Sequence, residues 1–142
     1  MHINVKPKTY GPLQLHAGAD GSTVFETEAG HRLRAGPSPA PDALSPSDLM
    51  LASLANCIAI SMRMAGQHMK LELGTLDLSA IAIKASDLPN RFGRFELEVR
   101  TGALVDAGKV DELLRRTKDL CTVSNTLGAE VVVRLNPAPP DR

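Results

Sequence analysis

The chain has 142 residues, the length of one domain with a hydrophobic core. Its sixteen basic and sixteen acidic side chains cancel. Because nucleic acids and anionic membranes both demand a basic surface, neither is expected as the main partner. Aromatic residues make up only 3% of the chain and Trp is absent, so stacking platforms for single-stranded bases are not expected either.

The first third of the chain predicts an antiparallel β-meander. Short alternating runs, with glycine-containing turns between three of them, lie at residues 3–7, 13–18, 22–30 and 31–36. Four prolines then fall within residues 37–46. A stretch this rich in proline predicts an ordered connection without regular structure.

A long helix is predicted to follow this connection. Ser45 suits the N-cap, Pro46 suits the first helical position, and Asp48 is placed to complete a capping box. From Leu49 to Met64 the helix is apolar on nearly every side, which predicts a buried central helix. This apolar run is too short to cross a bilayer. Because one sheet covers only one side of such a helix, we also expect a homodimer that packs two of them together.

The remaining pattern predicts a β-hairpin, a second helix and a final strand. Period-two alternation at residues 71–86 and 95–101 predicts a hairpin with its turn near 89–90. Its expected inner residues are Leu76, Leu78, Ala80, Ala82, Phe95, Leu97 and Val99. A second helix is then predicted from the helical spacing of Val110, Leu113, Leu114, Thr117 and Cys121. A final strand is predicted at residues 129–135.

Because its strands cluster instead of alternating with helices, the chain is predicted to be α+β. We expect one domain over residues 1–142, with the meander at 1–36, the proline-rich connection at 37–45 and the helix and strand core at 46–142.

The chain contains only two cysteines, Cys57 and Cys121, and the residues alone leave their role open. Free cysteine packs like a small hydrophobe, whereas a reactive cysteine needs a lowered pKa. Cys57 lies in the middle of its helix, and Arg63 points away from it. The remaining candidate cations are Arg32, Arg34, Arg91 and Arg94. Without a guanidinium nearby, we expect apolar surroundings to raise the pKa of Cys57.

Neither a targeting segment nor a metal site is expected. The N-terminus has no apolar signal-peptide region, so we expect the cytoplasm, where thiols are kept reduced. The four histidines show no i,i+4 pairing with one another or with cysteine, so no metal and no cofactor are expected.

Two segments resemble the signatures of the OsmC/Ohr family, the osmotically inducible protein C and organic hydroperoxide resistance proteins. They are "LSPSDLMLASLANCIAIS" and "LCTVSNTL", and they are most similar to the OsmC-like branch. The resemblance extends in element order over nearly the whole chain. It implies an OsmC-like fold and a tightly intertwined homodimer, with the long helices at its centre and active sites at the subunit interface.

The same resemblance implies a thiol-dependent peroxidase that reduces organic hydroperoxides in defence against oxidative stress. Cys57 would attack the peroxide and become a sulfenic acid, and Cys121 would resolve it to a disulfide. A dithiol such as a lipoyl protein or a thioredoxin would then reduce the pair. The alternative is a non-catalytic OsmC-like protein that binds a small apolar ligand at the dimer interface.

Two further residues are supporting candidates. Peroxidases of this family carry a glutamate ten residues before the first cysteine, where this chain has Ser47 followed by Asp48. Their activating arginine lies in a turn between early strands, and Arg34 is the candidate to replace it here. The alternative for Asp48 is that it only caps the helix and has no supporting role at the active site. Four methionines would line an apolar pocket or simply fill the core: Met50, Met62, Met64 and Met69.

Overall fold

A computed structural model describes residues 6–136. The chain separates into two compact units, Met1–Leu49 and Met50–Arg142, and each is described by itself below. The expectation of a single domain stays a prediction. The α+β class is confirmed, because two three-stranded sheets occur together with three α-helices.

The first unit contains the predicted meander. Strands β1 (Gln14–Ala17), β2 (Thr23–Glu26) and β3 (Arg32–Ala35) pair antiparallel in that order. The turns between them use Gly21 and Gly30 at φ values of +86° and +90°, a region where a side chain is strained. The predicted run at residues 3–7 lies mostly outside the described residues.

The proline-rich connection leads into the first helix as expected. Its only pairing among the described residues consists of the isolated bridges Ala35 to Leu44 and Ala40 to Ala43. The capping box is confirmed. The Ser45 N–H donates to the Asp48 carboxylate at 3.0 Å, and the Asp48 N–H donates to the Ser45 hydroxyl at 3.1 Å.

Helix α1 (Pro46–His68) is longer than its apolar run, and it has two faces. By length and composition alone, α1 is long and apolar enough to cross a membrane. The core helices of soluble proteins also meet this criterion. The length argument against a span is therefore wrong. One face of α1 is buried in the hydrophobic core, at Leu54, Ile58, Ser61, Met62, Ala65 and Gly66. The exposed face carries Ile60 and Met64.

A hydrogen-bonded reversal ends α1. The Leu71 N–H donates to the Gly66 carbonyl at 2.8 Å, and the Lys70 N–H donates to the Gln67 carbonyl at 3.1 Å. This is the Schellman pattern, which requires one residue in the left-handed region. That residue is Lys70, at a φ of 57°.

The second sheet carries the core of the second unit. Strands β4 (Leu76–Lys84) and β5 (Phe92–Thr101) form the predicted hairpin, and β6 (Glu130–Asn136) pairs with the other side of β5 in parallel. The seven hairpin residues expected on the inner face all belong to the core or pack against it. They contact the buried face of α1 in one hydrophobic cluster.

The second predicted helix ends earlier than the sequence suggests. Helix α2 (Val110–Leu120) buries Leu113 and Thr117, but Cys121 is extended, with φ −80° and ψ 102°. The prediction that Cys121 continues this helix is therefore wrong. Its N–H closes the last turn of α2 on the Lys118 carbonyl at 3.3 Å, and a short helix α3 (Thr122–Thr126) begins after it.

Candidate active site

The two cysteine side chains meet in the second unit. Cys57 lies on α1 and is half-buried against the core, and Cys121 is 0% exposed at the junction of α2 and α3. Both are free thiols, they belong to one hydrophobic cluster, and each influences the pKa of the other. The structure thus brings together the two residues that are expected to form a redox couple.

The surroundings of Cys57 favour its thiolate. Burial raises the pKa of this thiol, but several donors oppose burial and bring the pKa below its ordinary value. The donors are the Val123 N–H, the Cys121 thiol, the Ser61 hydroxyl and the Thr122 N–H. The expectation of a raised pKa is therefore wrong, because backbone and hydroxyl donors stabilise the thiolate in place of a guanidinium.

The pKa of Cys121 is shifted in the opposite direction. Burial raises the pKa of its thiol, and the neighbouring Cys57 raises it further, although the Ser124 N–H and side chain act against both. The Ser124 N–H donates to the Cys121 sulfur at 3.4 Å. One thiol is thus half-exposed and more acidic than usual, and the other is buried and less acidic. Of the two thiols, Cys57 is therefore the one that ionises more readily.

The two supporting candidates belong to the first unit. The Asp48 carboxylate accepts the hydrogen bond of the capping box. Arg34 is exposed on β3 with its Nη1 3.7 Å from the Asp42 carboxylate. A role for either residue toward the thiols stays a prediction.

In the second unit, the candidate guanidiniums are engaged elsewhere. Arg91 donates to both oxygens of Asp87 at 2.6 and 2.7 Å. Arg94 donates to Glu96 at 2.8 Å and to Glu130 at 3.0 Å. Neither arginine is among the main influences on the pKa of either thiol.

An apolar hollow of about 560 Å³ lies on the surface of the second unit. Its lining consists of Met50, Asn90, Arg91, Phe92, Phe95, Leu127, Gly128 and Ala129. Met50 precedes Cys57 by seven residues, so the two side chains share one face of α1 about 10 Å apart along its axis. Of the other three methionines, Met62 fills the core, Met69 packs against it, and Met64 is exposed.

Sequence reasoning missed three of the groups that face Cys57. Ser61 follows it by one helical turn, and that i,i+4 spacing is a signal that could have revealed it. The N–H groups of Thr122 and Val123 leave no such signal, because every residue other than proline carries one. Among residues 6–136, no three histidine, cysteine or acidic side chains form a group suited to a metal ion.

Comparisons with known proteins place this geometry in context. A model of the OsmC-like protein family matches residues 39–136. No curated protein matches the chain. Among solved structures, an OsmC-like protein from Mycoplasma pneumoniae is 14% identical with a TM-score of 0.80, covering 94% of this chain and 100% of that one.

Organic hydroperoxide resistance proteins are also among the similar structures. The one from Legionella pneumophila is 18% identical with a TM-score of 0.70, covering 94% of this chain and 100% of that one. OhrB of Bacillus subtilis is 17% identical with a TM-score of 0.65, covering 91% of this chain and 98% of that one. At these identities the likeness establishes a shared fold.

Proposed function

Because the chain belongs to the OsmC-like protein family, we propose that it is a thiol-dependent peroxidase that reduces organic hydroperoxides in defence against oxidative stress. The observation that carries this proposal is the pairing of Cys57 with Cys121. A half-buried thiol with a lowered pKa lies beside a buried thiol with a raised pKa. Structural thiols have no need of this asymmetry.

The pair supports a two-step oxidation. The Cys57 thiolate attacks one peroxide oxygen, the O–O bond breaks, and the alcohol leaves after taking a proton from solvent, so that Cys57 becomes a sulfenic acid. The Cys121 sulfur then attacks the Cys57 sulfur, a disulfide forms, and water leaves. A dithiol, such as a lipoyl protein or a thioredoxin-like protein, reduces the disulfide and is itself oxidised to a disulfide.

The hollow beside α1 supports an organic substrate. Its apolar wall, with Met50, Phe92, Phe95 and Leu127, suits the hydrocarbon part of an alkyl or aryl hydroperoxide. Hydrogen peroxide has no such part and gains nothing from this wall. We therefore assign the substrate class as small organic hydroperoxides.

A homodimer and a cytoplasmic location complete the proposal. The exposed apolar side chains of α1 support a homodimer, in which a second copy of the chain would bury them. A couple that must return to two thiols after each cycle suits a reducing compartment. Fractionation of cells that produce the tagged protein tests the location.

The same hollow also favours a second candidate function, the non-catalytic binding of a small apolar ligand. The two functions make opposite predictions for the cysteines. A binding protein leaves both thiols reduced in the presence of hydroperoxide, whereas a peroxidase oxidises them to an intramolecular disulfide.

The test is the consumption of cumene hydroperoxide by the purified protein, with and without a dithiol. We expect catalytic consumption by the wild type and none by Cys57→Ser. Without reductant, the matched variant Cys121→Ser should consume one peroxide per chain and retain a sulfenic acid that a carbon nucleophile traps. Consumption that is absent from the wild type, or undiminished in Cys57→Ser, would refute the proposed peroxidase.

A further inference from the structure

Met50 is an exposed thioether in the wall of the apolar hollow. It is 38% exposed, and it lines the hollow together with Phe92, Phe95 and Leu127. Those three side chains belong to the hydrophobic core or pack against it, and the two rings lie with their centroids 5.7 Å apart. An apolar molecule of suitable size that enters the hollow, which has a volume of about 560 Å³, therefore meets Met50 as part of its surroundings.

The other methionines of the described residues separate the effect of exposure from the effect of location. Met62 is 0% exposed and Met69 packs against the core, so both thioethers are shielded from an oxidant in solution. Met64 lies on the same helix as Met50 and is 43% exposed, but it does not line the hollow. Exposure alone therefore predicts that an oxidant modifies Met64 at least as fast as Met50.

A hydroperoxide oxidises a thioether without any further reactant. The thioether sulfur attacks the terminal peroxide oxygen, the O–O bond breaks, and that oxygen stays on the sulfur, so that methionine becomes methionine sulfoxide. The hydroxyl proton passes to the departing oxygen, and the hydroperoxide leaves as its alcohol. The product side chain is polar, whereas the thioether is apolar.

We propose that Met50 is a modification site, which an organic hydroperoxide bound in the hollow oxidises to methionine sulfoxide. The wall holds the hydrocarbon part of the hydroperoxide beside Met50, and this proximity raises the rate of the reaction. The sulfoxide then places a polar group in the wall, so the hollow binds the next apolar molecule more weakly. The inference rests on the proposed function only in taking the hollow as the place where the hydroperoxide binds.

The experiment compares two oxidants on Cys57→Ser, in which the proposed reacting thiol is absent. Mass spectrometry follows the oxidation of Met50 and Met64 by cumene hydroperoxide and by hydrogen peroxide, which has no hydrocarbon part. We expect the ratio of the Met50 rate to the Met64 rate to be about tenfold higher with cumene hydroperoxide, because burial of an aryl group strengthens binding by about this factor. The same ratio with both oxidants would overturn the inference.

A competitor shows whether the hollow causes the difference. The alcohol 2-phenyl-2-propanol has the hydrocarbon part of cumene hydroperoxide but cannot oxidise a thioether. In excess it should slow the oxidation of Met50 by cumene hydroperoxide and leave the rate at Met64 unchanged. If Met50 is oxidised as fast with the competitor as without it, the inference is wrong.

The effect of the modification is measured as a change in affinity. After treatment with cumene hydroperoxide, Cys57→Ser should bind 2-phenyl-2-propanol about tenfold more weakly in calorimetry. In the same background Met50→Leu keeps an apolar side chain of similar volume, so it is expected to fold and to retain its affinity after treatment. Met64→Leu is the matched control and should lose affinity as its parent does. An equal loss in Met50→Leu would overturn the inference, because oxidation elsewhere would then explain it.

Failure of the proposed function has a different signature. A wild-type chain that consumes no hydroperoxide refutes the peroxidase proposal. The ratio of oxidation rates in Cys57→Ser involves no turnover by Cys57, so it still decides whether Met50 is modified from the hollow.

Discussion

At the scale of single residues, the two thiols are set apart by what faces each sulfur. Cys57 meets two N–H groups, a hydroxyl and a second thiol, whereas Cys121 is enclosed by the core and lies beside a group that tends to ionise first. Negative charge on Cys57 makes ionisation of Cys121 harder, so the pair loses its protons in a fixed order. Chemical modification should follow the same order.

We predict selective alkylation of Cys57 in the wild-type protein. Its pKa is below the ordinary thiol value of 9.0, so its thiolate persists at lower pH and its reactivity falls only as the pH drops through the lowered pKa. The pKa of Cys121 is above that value, so its reactivity appears only at higher pH. Mass spectrometry of iodoacetamide-labelled peptides at a series of pH values gives both profiles. In urea the two profiles should converge, and convergence in the folded protein as well would contradict the prediction.

A second residue-scale prediction concerns Lys70, which is left-handed at φ 57°. This conformation costs an L-residue about 1 kcal/mol, and glycine avoids the cost. Lys70→Gly should therefore stabilise the protein by about 1 kcal/mol. Lys118→Gly makes the same chemical change inside α2, where it should destabilise by about 1 kcal/mol. Urea unfolding measures both, and shifts of the same sign would show that the backbone argument is wrong.

Both cysteines could be identified from the sequence as a candidate couple, but the acidity of Cys57 could not. Side-chain patterns in a sequence reveal candidate charged partners, such as Arg34 or Arg91, but not uncharged backbone donors. The donors that act on Cys57 include the backbone N–H groups of Thr122 and Val123. Such groups become visible only when the path of the chain is known.

At the scale of secondary-structure elements, the capping box gives a stability prediction for α1. Ser45→Ala and Asp48→Ala should each cost about 1 kcal/mol in unfolding free energy. The double variant should cost less than the sum, because both changes break the same reciprocal pair. Urea unfolding of the three variants checks this, and full additivity would contradict it.

The same variants separate the two roles considered for Asp48. If Asp48 acts only as a capping residue, Asp48→Ala should show the same rate of Cys57 oxidation as Ser45→Ala in the folded protein. A slower rate confined to Asp48→Ala would assign the carboxylate the supporting role that the family resemblance implies.

The break between α2 and α3 shows where helical spacing misleads. Leu113, Thr117 and Cys121 follow one another at intervals of four, which is the pattern of a continuous buried face. All three are buried, yet only the first two are helical. The Asn125 side chain donates to the Asp119 carbonyl at 3.0 Å and so supports the end of α2 from outside the helix. Burial periodicity locates the inner face but not the last residue of a helix.

At the scale of the whole molecule, the exposed face of α1 predicts self-association. Ile60 is 54% exposed on this face, and Ile81 is 51% exposed on β4. If α1 packs against a second copy, Ile60→Lys should shift the protein from dimer to monomer, because burying an unpaired charge is costly. Ile81→Lys adds the same charge at the same exposure and should leave the dimer intact. Light scattering after size exclusion measures both, and a wild-type monomer would contradict the assembly.

The OsmC-like fold expected from the sequence is confirmed, but the direction of its last strand was not predictable. Alternation at residues 129–135 revealed a strand with an inner and an outer face. Parallel and antiparallel strands alternate in the same way, so the pattern could not show that β6 runs parallel to β5. The intervening α2 and α3 supply the long crossover that parallel pairing needs.

The placement of the thiolate donors has a consequence for protein synthesis. Thr122 and Val123 leave the ribosome about 65 residues after Cys57. Until they arrive and fold against α1, a nascent chain carries an unremarkable thiol, poorly suited to oxidation. Under the proposed peroxidase function, full reactivity of Cys57 would therefore emerge only once these donors have folded against it.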